Sequence, residues 1–209
     1  MRVAPIALFS YKDSEKLIDK TRRATEITHT HKIGVDGAIL QAFAIQQCLQ
    51  LDPSNELNVP DFINELIDKM KKIEKDEEGL DLVEPQPYKL KLDILQQLIA
   101  AEKDVTNEEV VRQLGNGIAA LYSVPTAIFC FLRAQQPING IETENPLRRA
   151  IQYAITLGGD TDTIGSMTGA LAGAFYGEDK FSNNLLEHCE ASKKFAYLGE
   201  KLYNIVCVM

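Results

Sequence analysis

The sequence predicts an all-α protein. Apolar residues recur at helical spacing along nearly the whole chain, helix-start signals punctuate it, and strand signals are weak. Only the first ten residues pass for a strand, and they fit an extended lead-in or a buried helix equally well. Asp13-Ser14-Glu15 caps a first helix, with Leu17, Ile18, Ala24 and Ile27 toward one face. After Gly34 a second helix sets Ile39, Leu40, Phe43, Ala44 and Cys48 on an apolar stripe. Pro60 suits the first turn of a third, running through Phe62, Ile63, Leu66, Ile67, Met70 and Ile73. Charges, Gly79, Pro85 and Pro87 break the pattern from Lys71 to Tyr88, which reads as a surface loop within one domain spanning residues 1–209. Helices resume at Leu90. Thr106 and Glu109 form a capping box for a short helix ending at Gly115. Pro125 begins another, Asn145-Pro146 starts the next, and Leu185 to Val208 is helical with less certain breaks.

The chain is long enough to bury one substantial core or two small ones, with hydrophobic residues at 45% and charged residues at 25%. Its net charge of −8 argues against general nucleic-acid binding, which needs a basic stripe. Phosphorylated small molecules remain possible ligands, because backbone N–H groups bind phosphate without net positive charge. The four cysteines are far apart and form no CxxC pair, the usage of free thiols in a reducing compartment. No apolar run reaches transmembrane length, since Ile164 to Tyr176 is too short. The opening Met1 to Phe9 is interrupted by Pro5, and no small-residue cleavage site follows. The expectation is an intracellular protein without a membrane partner, with cytosol, nucleus and mitochondrial matrix all open.

The segment that carries chemistry is Gly158-Gly159-Asp160-Thr161-Asp162-Thr163. One helix ends at the glycines and another begins at or just after Asp162. Two carboxylates and two hydroxyls at a tight turn suit a hard cation such as Mg²⁺, with water completing its shell. Capping of the second helix by Asp162 or Thr161 explains one acid and leaves the other unexplained. Gly165, Gly169, Gly173 and Gly177 then recur every fourth residue, which implies another helix packed closely against that face. His29 and His31 are two apart, facing different ways if helical, and no Cys or His cluster supports zinc. Gly115-Asn116-Gly117 is a second glycine-flanked turn, and a loop with positive φ is its first reading. No nucleophile elbow, dinucleotide fingerprint or P-loop is present.

Leu157-Gly158-Gly159-Asp160-Thr161-Asp162-Thr163-Ile164, followed by a Gly/Ala-rich helix, resembles the C-terminal metal motif of the ADP-ribosylglycohydrolase family. Further matches are Met1 to Ala4, Ile27-Thr28-His29, Gly37 to Ala42, Leu114 to Ala120 and Ser123 to Ile128, and they fit the ADP-ribosylserine-hydrolysing type better than its arginine-specific relatives. The resemblance implies an all-α orthogonal bundle with two Mg²⁺ ions. It implies hydrolysis of the bond between ADP-ribose and serine in proteins, or of poly(ADP-ribose), by a monomer. It makes Asp160, Asp162 and Thr163 metal ligands, and His29, Gly117 and Ile118 substrate contacts.

In that family a catalytic glutamate, a Thr-Asp-Asp run and a Gly-rich diphosphate loop come before the Met-Arg-Val-Ala segment. None precedes Met1, and the acid-rich stretch Glu74 to Asp81 reads as a solvated loop rather than a substitute. The chain is thus expected to carry about half the metal shell, to hydrolyse poorly or not at all by itself, and to leave an apolar face that favours low stability or association. The alternative is a non-catalytic module that binds ADP-ribose or a partner.

Overall fold

The computed structural model describes residues 1–75, 84–101 and 105–207. Among them the chain forms α1 (Ala4–Ser10), α2 (Ser14–Glu26), α3 (Lys32–Gln50), α4 (Val59–Ile73), α5 (Pro87–Ala100) and α6 (Asn107–Gln113). These are followed by α7 (Ala120–Arg133), α8 (Pro146–Thr156), α9 (Thr161–Tyr176), α10 (Asn183–His188) and α11 (Ser192–Cys207). No strand forms among the described residues; a single bridge pairs Ile138 with Ile141. The all-α class holds, and Ala4–Ser10 of the ambiguous first ten residues form a helix. No described helix is long and apolar enough to cross a membrane.

Three helix starts are set by the side chains expected to set them. Asp13 accepts the Lys16 N–H at 3.0 Å, and Asn145 accepts that of Arg148 at 3.1 Å. Thr106 accepts the Glu109 N–H at 3.2 Å. The capping box is only half made, because the Glu109 carboxylate turns forward to Arg112 and Gln113. Some boundaries differ from expectation: α5 begins at Pro87 rather than Leu90, and α9 at Thr161 rather than at or after Asp162. Helix α3 begins at Lys32, ahead of Gly34, because the His31 ring accepts the Ile33 N–H and caps it there. Helix α7 begins at Ala120, so Pro125 lies inside it rather than starting it. That position is buried, and the helix absorbs one missing N–H near its first turns.

Helix α3 is the axis of the fold. It packs against α1, α2, α4, α5, α7 and α9, and it is buried on nearly every side instead of along one stripe. Its buried polar side chains tie down its neighbours. Gln41 donates to the Met167 carbonyl of α9 at 3.2 Å, Gln47 to Phe62 of α4 at 3.4 Å, and Gln46 to Tyr11 at 3.0 Å. Phe131 of α7 fills the space between them, with ring centroids 6.1 Å from Phe62 and 5.8 Å from Phe175.

The stretch from Lys71 to Tyr88 is not simply a surface loop. Residues 76–83 lie outside the described residues; in the flanks Lys71, Lys72, Lys75, Glu84 and Pro85 are exposed, but Glu74 is 1% exposed and Tyr88 fully buried. The Glu74 carboxylate accepts the N–H groups of Tyr88 (2.7 Å) and Lys89 (2.9 Å), so it caps the first turn of α5. Tyr88 reaches on to donate to the Ile33 carbonyl at 2.7 Å. Its ring passes so close to α3 that a side chain at Gly37 would overlap the tyrosine hydroxyl and come within 2.9 Å of its Cζ.

The glycines of α9 behave differently from expectation. Gly165 has nothing within 4 Å of where a side chain would begin, and Gly169 meets only Ile151 at an ordinary 3.6 Å. Helix α8 packs against α9 there through Ile151, but at ordinary van der Waals distance rather than by close backbone approach. The close backbone approaches are at Gly37, Gly115 and Gly159.

Gly37→Ala is expected to lower unfolding free energy by about 1–3 kcal/mol through overpacking against Tyr88. Gly165→Ala should raise it by about 0.5–1 kcal/mol, because α9 gains helix propensity without a clash. Urea titration distinguishes the two signs. Burial is the largest influence on Glu74 and pushes its carboxyl above the usual glutamate range, with Asp36 adding to the shift and the two N–H bonds opposing it. The folded state therefore holds the proton more tightly than the unfolded chain. Stability should fall as pH rises from the ordinary glutamate value through the raised one, and Glu74→Gln should flatten that slope in unfolding curves taken from about pH 4 to pH 7.

Candidate functional site

The two glycine turns that the sequence presents separately meet in space. Helix α8 ends at Thr156, and Gly158 and Gly159 both take φ of 68° before Asp160 leads into α9. A left-handed pair is strained for side-chain-bearing residues, so the chain reverses here because both are glycine. The Asp160 N–H donates to the Asn116 carbonyl at 2.8 Å, and the Asn116 side-chain amide donates to the Leu157 carbonyl at 2.9 Å. Asn116 lies so close to Gly159 that a side chain there would come within 2.6 Å of Asn116 Cγ.

The loop carrying Asn116 is itself fastened. Thr126 donates to the Gly115 carbonyl at 2.6 Å, and Lys91 donates to the carbonyls of Gln113 (2.6 Å) and Leu114 (3.0 Å) at the end of α6. The Lys91 ammonium lies 5.2 Å from the centre of the Tyr122 ring, which packs against Gly115 at φ 91°. On the other side, Gln41 and the Thr168–Ala127 hydrogen bond of 3.2 Å hold α9 to α3 and α7. The turn is therefore supported from three helices.

Asp160 occupies the N-cap position of α9, yet its side chain makes no capping bond. Its Oδ2 is buried and has no hydrogen-bond partner. Asp162 is exposed and accepts its neighbour Thr163's N–H at 2.8 Å. The neighbouring Asp160 side chain is the largest cause holding Asp162 below the usual carboxylate range, and the Thr163 N–H is the next. A buried oxygen without a donor, a second carboxylate and the half-buried Thr163 form an oxygen-only donor set that fits a hard cation. Among the described residues no group of three or more His, Cys, Asp or Glu gathers around one point, so the set is partial.

Of the expected substrate contacts, Gly117 and Ile118 lie on the Asn116 loop beside this turn. Ile118 is 85% exposed, more than any other large apolar side chain described. His29 stands apart, exposed in the connection between α2 and α3. It is hydrogen-bonded through Nδ1 to Thr28 Oγ1 at 2.8 Å, and no hydrogen bond joins it to either glycine turn among the described residues. It and His31 both lie off the helices, so helical facing does not apply to them. Asn116, Lys91 and Thr126 were not singled out as site residues from the sequence. The glycines flanking Asn116 were the one available signal, and they do not say which turn it touches.

Gly159→Ala should disrupt the clasp twice, through the strained φ and through overlap with Asn116. We expect a loss of about 2–4 kcal/mol in urea unfolding. Asn116→Ala should cost about 1–2 kcal/mol, the value of a buried backbone acceptor left open at Leu157.

A family model described as ADP-ribosylglycohydrolase matches residues 1–207. The protein named ADP-ribosylhydrolase ARH3 from Bos taurus is 40% identical over 211 residues, covering 98% of this chain and 56% of that protein. The Homo sapiens protein of the same name is also 40% identical with the same coverage. The uncharacterized protein YegU of Escherichia coli strain K12 is 28% identical, covering 85% of this chain and 49% of that protein. The chain thus spans about half the length of the curated relatives it matches. With one family model matching almost end to end and relatives at this identity along it, the chain belongs to the ADP-ribosylglycohydrolase family.

Proposed function

We propose that this chain supplies one side of a Mg²⁺-dependent site for hydrolysis of the O-glycosidic bond between ADP-ribose and serine in proteins, or of the ribose–ribose bond in poly(ADP-ribose). The observation that carries the reading is the buried, unpartnered Oδ2 of Asp160, held at a turn next to the exposed Asp162 in a chain of this family. Asp160, Asp162 and Thr163 would hold the metal. Bound Mg²⁺ supplies polarisation of ribose hydroxyls and of water. Asp160 and Asp162 place negative charge where positive charge develops on the anomeric carbon, which favours an oxocarbenium-like transition state. Gly117 presents backbone without a side chain in the way, and Ile118 offers an apolar edge for the ADP-ribose moiety.

On this reading the 209 residues alone hydrolyse poorly, because the gathered ligands are too few to bind a divalent cation strongly. At the site Gly159, Asp162 and Ile118 are exposed. A groove of about 670 Å³ lies at the far ends of α7 and α9, lined by Arg133 and Tyr176 among others, roughly 24 Å along α9 from Asp160. The same partial donor set favours a second reading, a module that binds ADP-ribose or a partner without turnover. Exposed Phe195 and Tyr203 on α11, at 66% and 64%, support association rather than an isolated monomer.

The deciding assay is release of free ADP-ribose from a serine-ADP-ribosylated peptide with Mg²⁺, by the purified chain and by Asp162→Ala. Asp162 is exposed, so its removal should leave folding intact. No turnover from a folded chain that still binds ADP-ribose is the expected result. Turnover abolished in Asp162→Ala would show that this half suffices. Neither turnover nor ADP-ribose binding would remove the substrate-site reading.

A further inference from the structure

Five described helices begin with a Ser, Thr, Asp or Asn whose side chain accepts the N–H three residues on: Asp13, Asn58, Thr106, Asn145 and Ser182. Their ψ angles run from 91° at Asn58 to 159° at Thr106, in the extended region usual for a helix-capping residue. Asp160 holds the same place on α9, since its carbonyl accepts the Ile164 N–H at 3.0 Å. Aspartate is also among the best capping residues. Yet its ψ is 66° and no capping bond forms; the Thr163 N–H goes to Asp162 at 2.8 Å. Asp160 is held out of a bond that its counterparts make.

The restraint comes from Asn116. Its carbonyl accepts the Asp160 N–H at 2.8 Å and its amide donates to the Leu157 carbonyl at 2.9 Å. Asn116 thus grips the chain on both sides of Gly158 and Gly159. Two consecutive glycines by themselves allow many paths from α8 to α9. The Asn116 bonds select one, with both glycines at φ of 68°. A carboxylate oxygen buried without a donor costs stability, and a turn free to relax would recover that cost by capping the helix.

We infer that Asn116 is a positioning residue: it keeps the Asp160 carboxylate from capping α9 and leaves Oδ2 bare for a divalent cation. The inference rests on the reading of Asp160 as a cation ligand given above. Asn116 acts through the backbone of the turn and does not itself need to supply a ligand atom.

The test uses Mn²⁺, a paramagnetic hard divalent cation, as the probe with the full chain. Mn²⁺ broadens the amide signals nearest to it, so even weak binding is read from a titration. We expect selective broadening of Thr161 to Thr163 in the unaltered chain, and binding at least about fivefold weaker in Asn116→Ala. A crystal structure of that variant should show Asp160 with ψ in the range of the other caps and its carboxylate accepting the Thr163 N–H. Asn116→Ser, whose side chain is too short to reach Leu157, gives the same readings if the alanine variant does not fold. Asn145→Ala is the control for stability alone, because it removes a cap at the opposite end of α8. It should lower the unfolding midpoint comparably and bind Mn²⁺ as the unaltered chain does. Unchanged Mn²⁺ affinity in the Asn116 variants, equal weakening in Asn145→Ala, or an Asp160 that stays uncapped each overturns the positioning role while the cation reading holds. No broadening at the turn of the unaltered chain overturns the cation reading and the role that rests on it.

Discussion

Helix α3 has almost no side that water reaches, and the rest of the fold follows from covering it. Nineteen residues with thirteen buried cannot be shielded by one partner, so α1, α2, α4, α5, α7 and α9 surround it. Burial on this scale forces the polar residues of α3 to find partners inside the protein. Gln41, Gln46 and Gln47 do so through their amide N–H groups, which donate to backbone carbonyls of neighbouring segments, while the Gln41 and Gln47 oxygens stay unpartnered; the hydrophobic demand of one helix becomes a directional fix on the others. Gln41 in particular links the axis of the bundle to the helix that begins at the candidate metal turn.

That turn is a second-level consequence. Its geometry depends on two stretches over forty residues apart being pressed together without side chains between them. Gly159 lets Asn116 approach, and Asn116 then satisfies both the Asp160 N–H and the Leu157 carbonyl. The clasp uses the backbone groups left open where α8 ends and α9 begins, which would otherwise need water. Asp160 is thereby relieved of capping its own helix, and one of its oxygens stays buried without a donor. An unsatisfied buried carboxylate oxygen costs stability. A rigid support of this kind allows the fold to retain one where a cation is to be bound.

The opposite edge of the described structure is built differently. Helix α11 meets α1 through Cys207 and Val206, with Tyr11 and Lys12 as partners, and has no buried residue. Its apolar side chains include some of the most exposed in the protein. Stability is therefore concentrated around α3, α7 and α9, while the C-terminal helix adds little apolar burial of its own.

Helix existence was legible from local pattern. The spacing of Phe62 to Ile73 and the caps Asp13, Thr106 and Asn145 act within a few residues, so the chain announces them directly. The Gly-Gly-Asp-Thr-Asp-Thr turn was equally visible, because left-handed backbone and paired carboxylates are properties of residue type. Contacts between distant segments were not. The burial of Glu74 and Tyr88 in a stretch that looks like a solvated loop depends on α3 and α5 meeting. The open face at Gly165 and the crowding at Gly159 could not be told apart from spacing, since both are glycines beside a turn or helix start. The sequence by itself determined the helices, the caps Asp13, Thr106 and Asn145, and the donor atoms of the turn. Tertiary structure alone decided which glycines are crowded, which carboxylate is left unsatisfied, and that Asn116 joins the two turns, because those outcomes depend on packing between segments far apart in the chain.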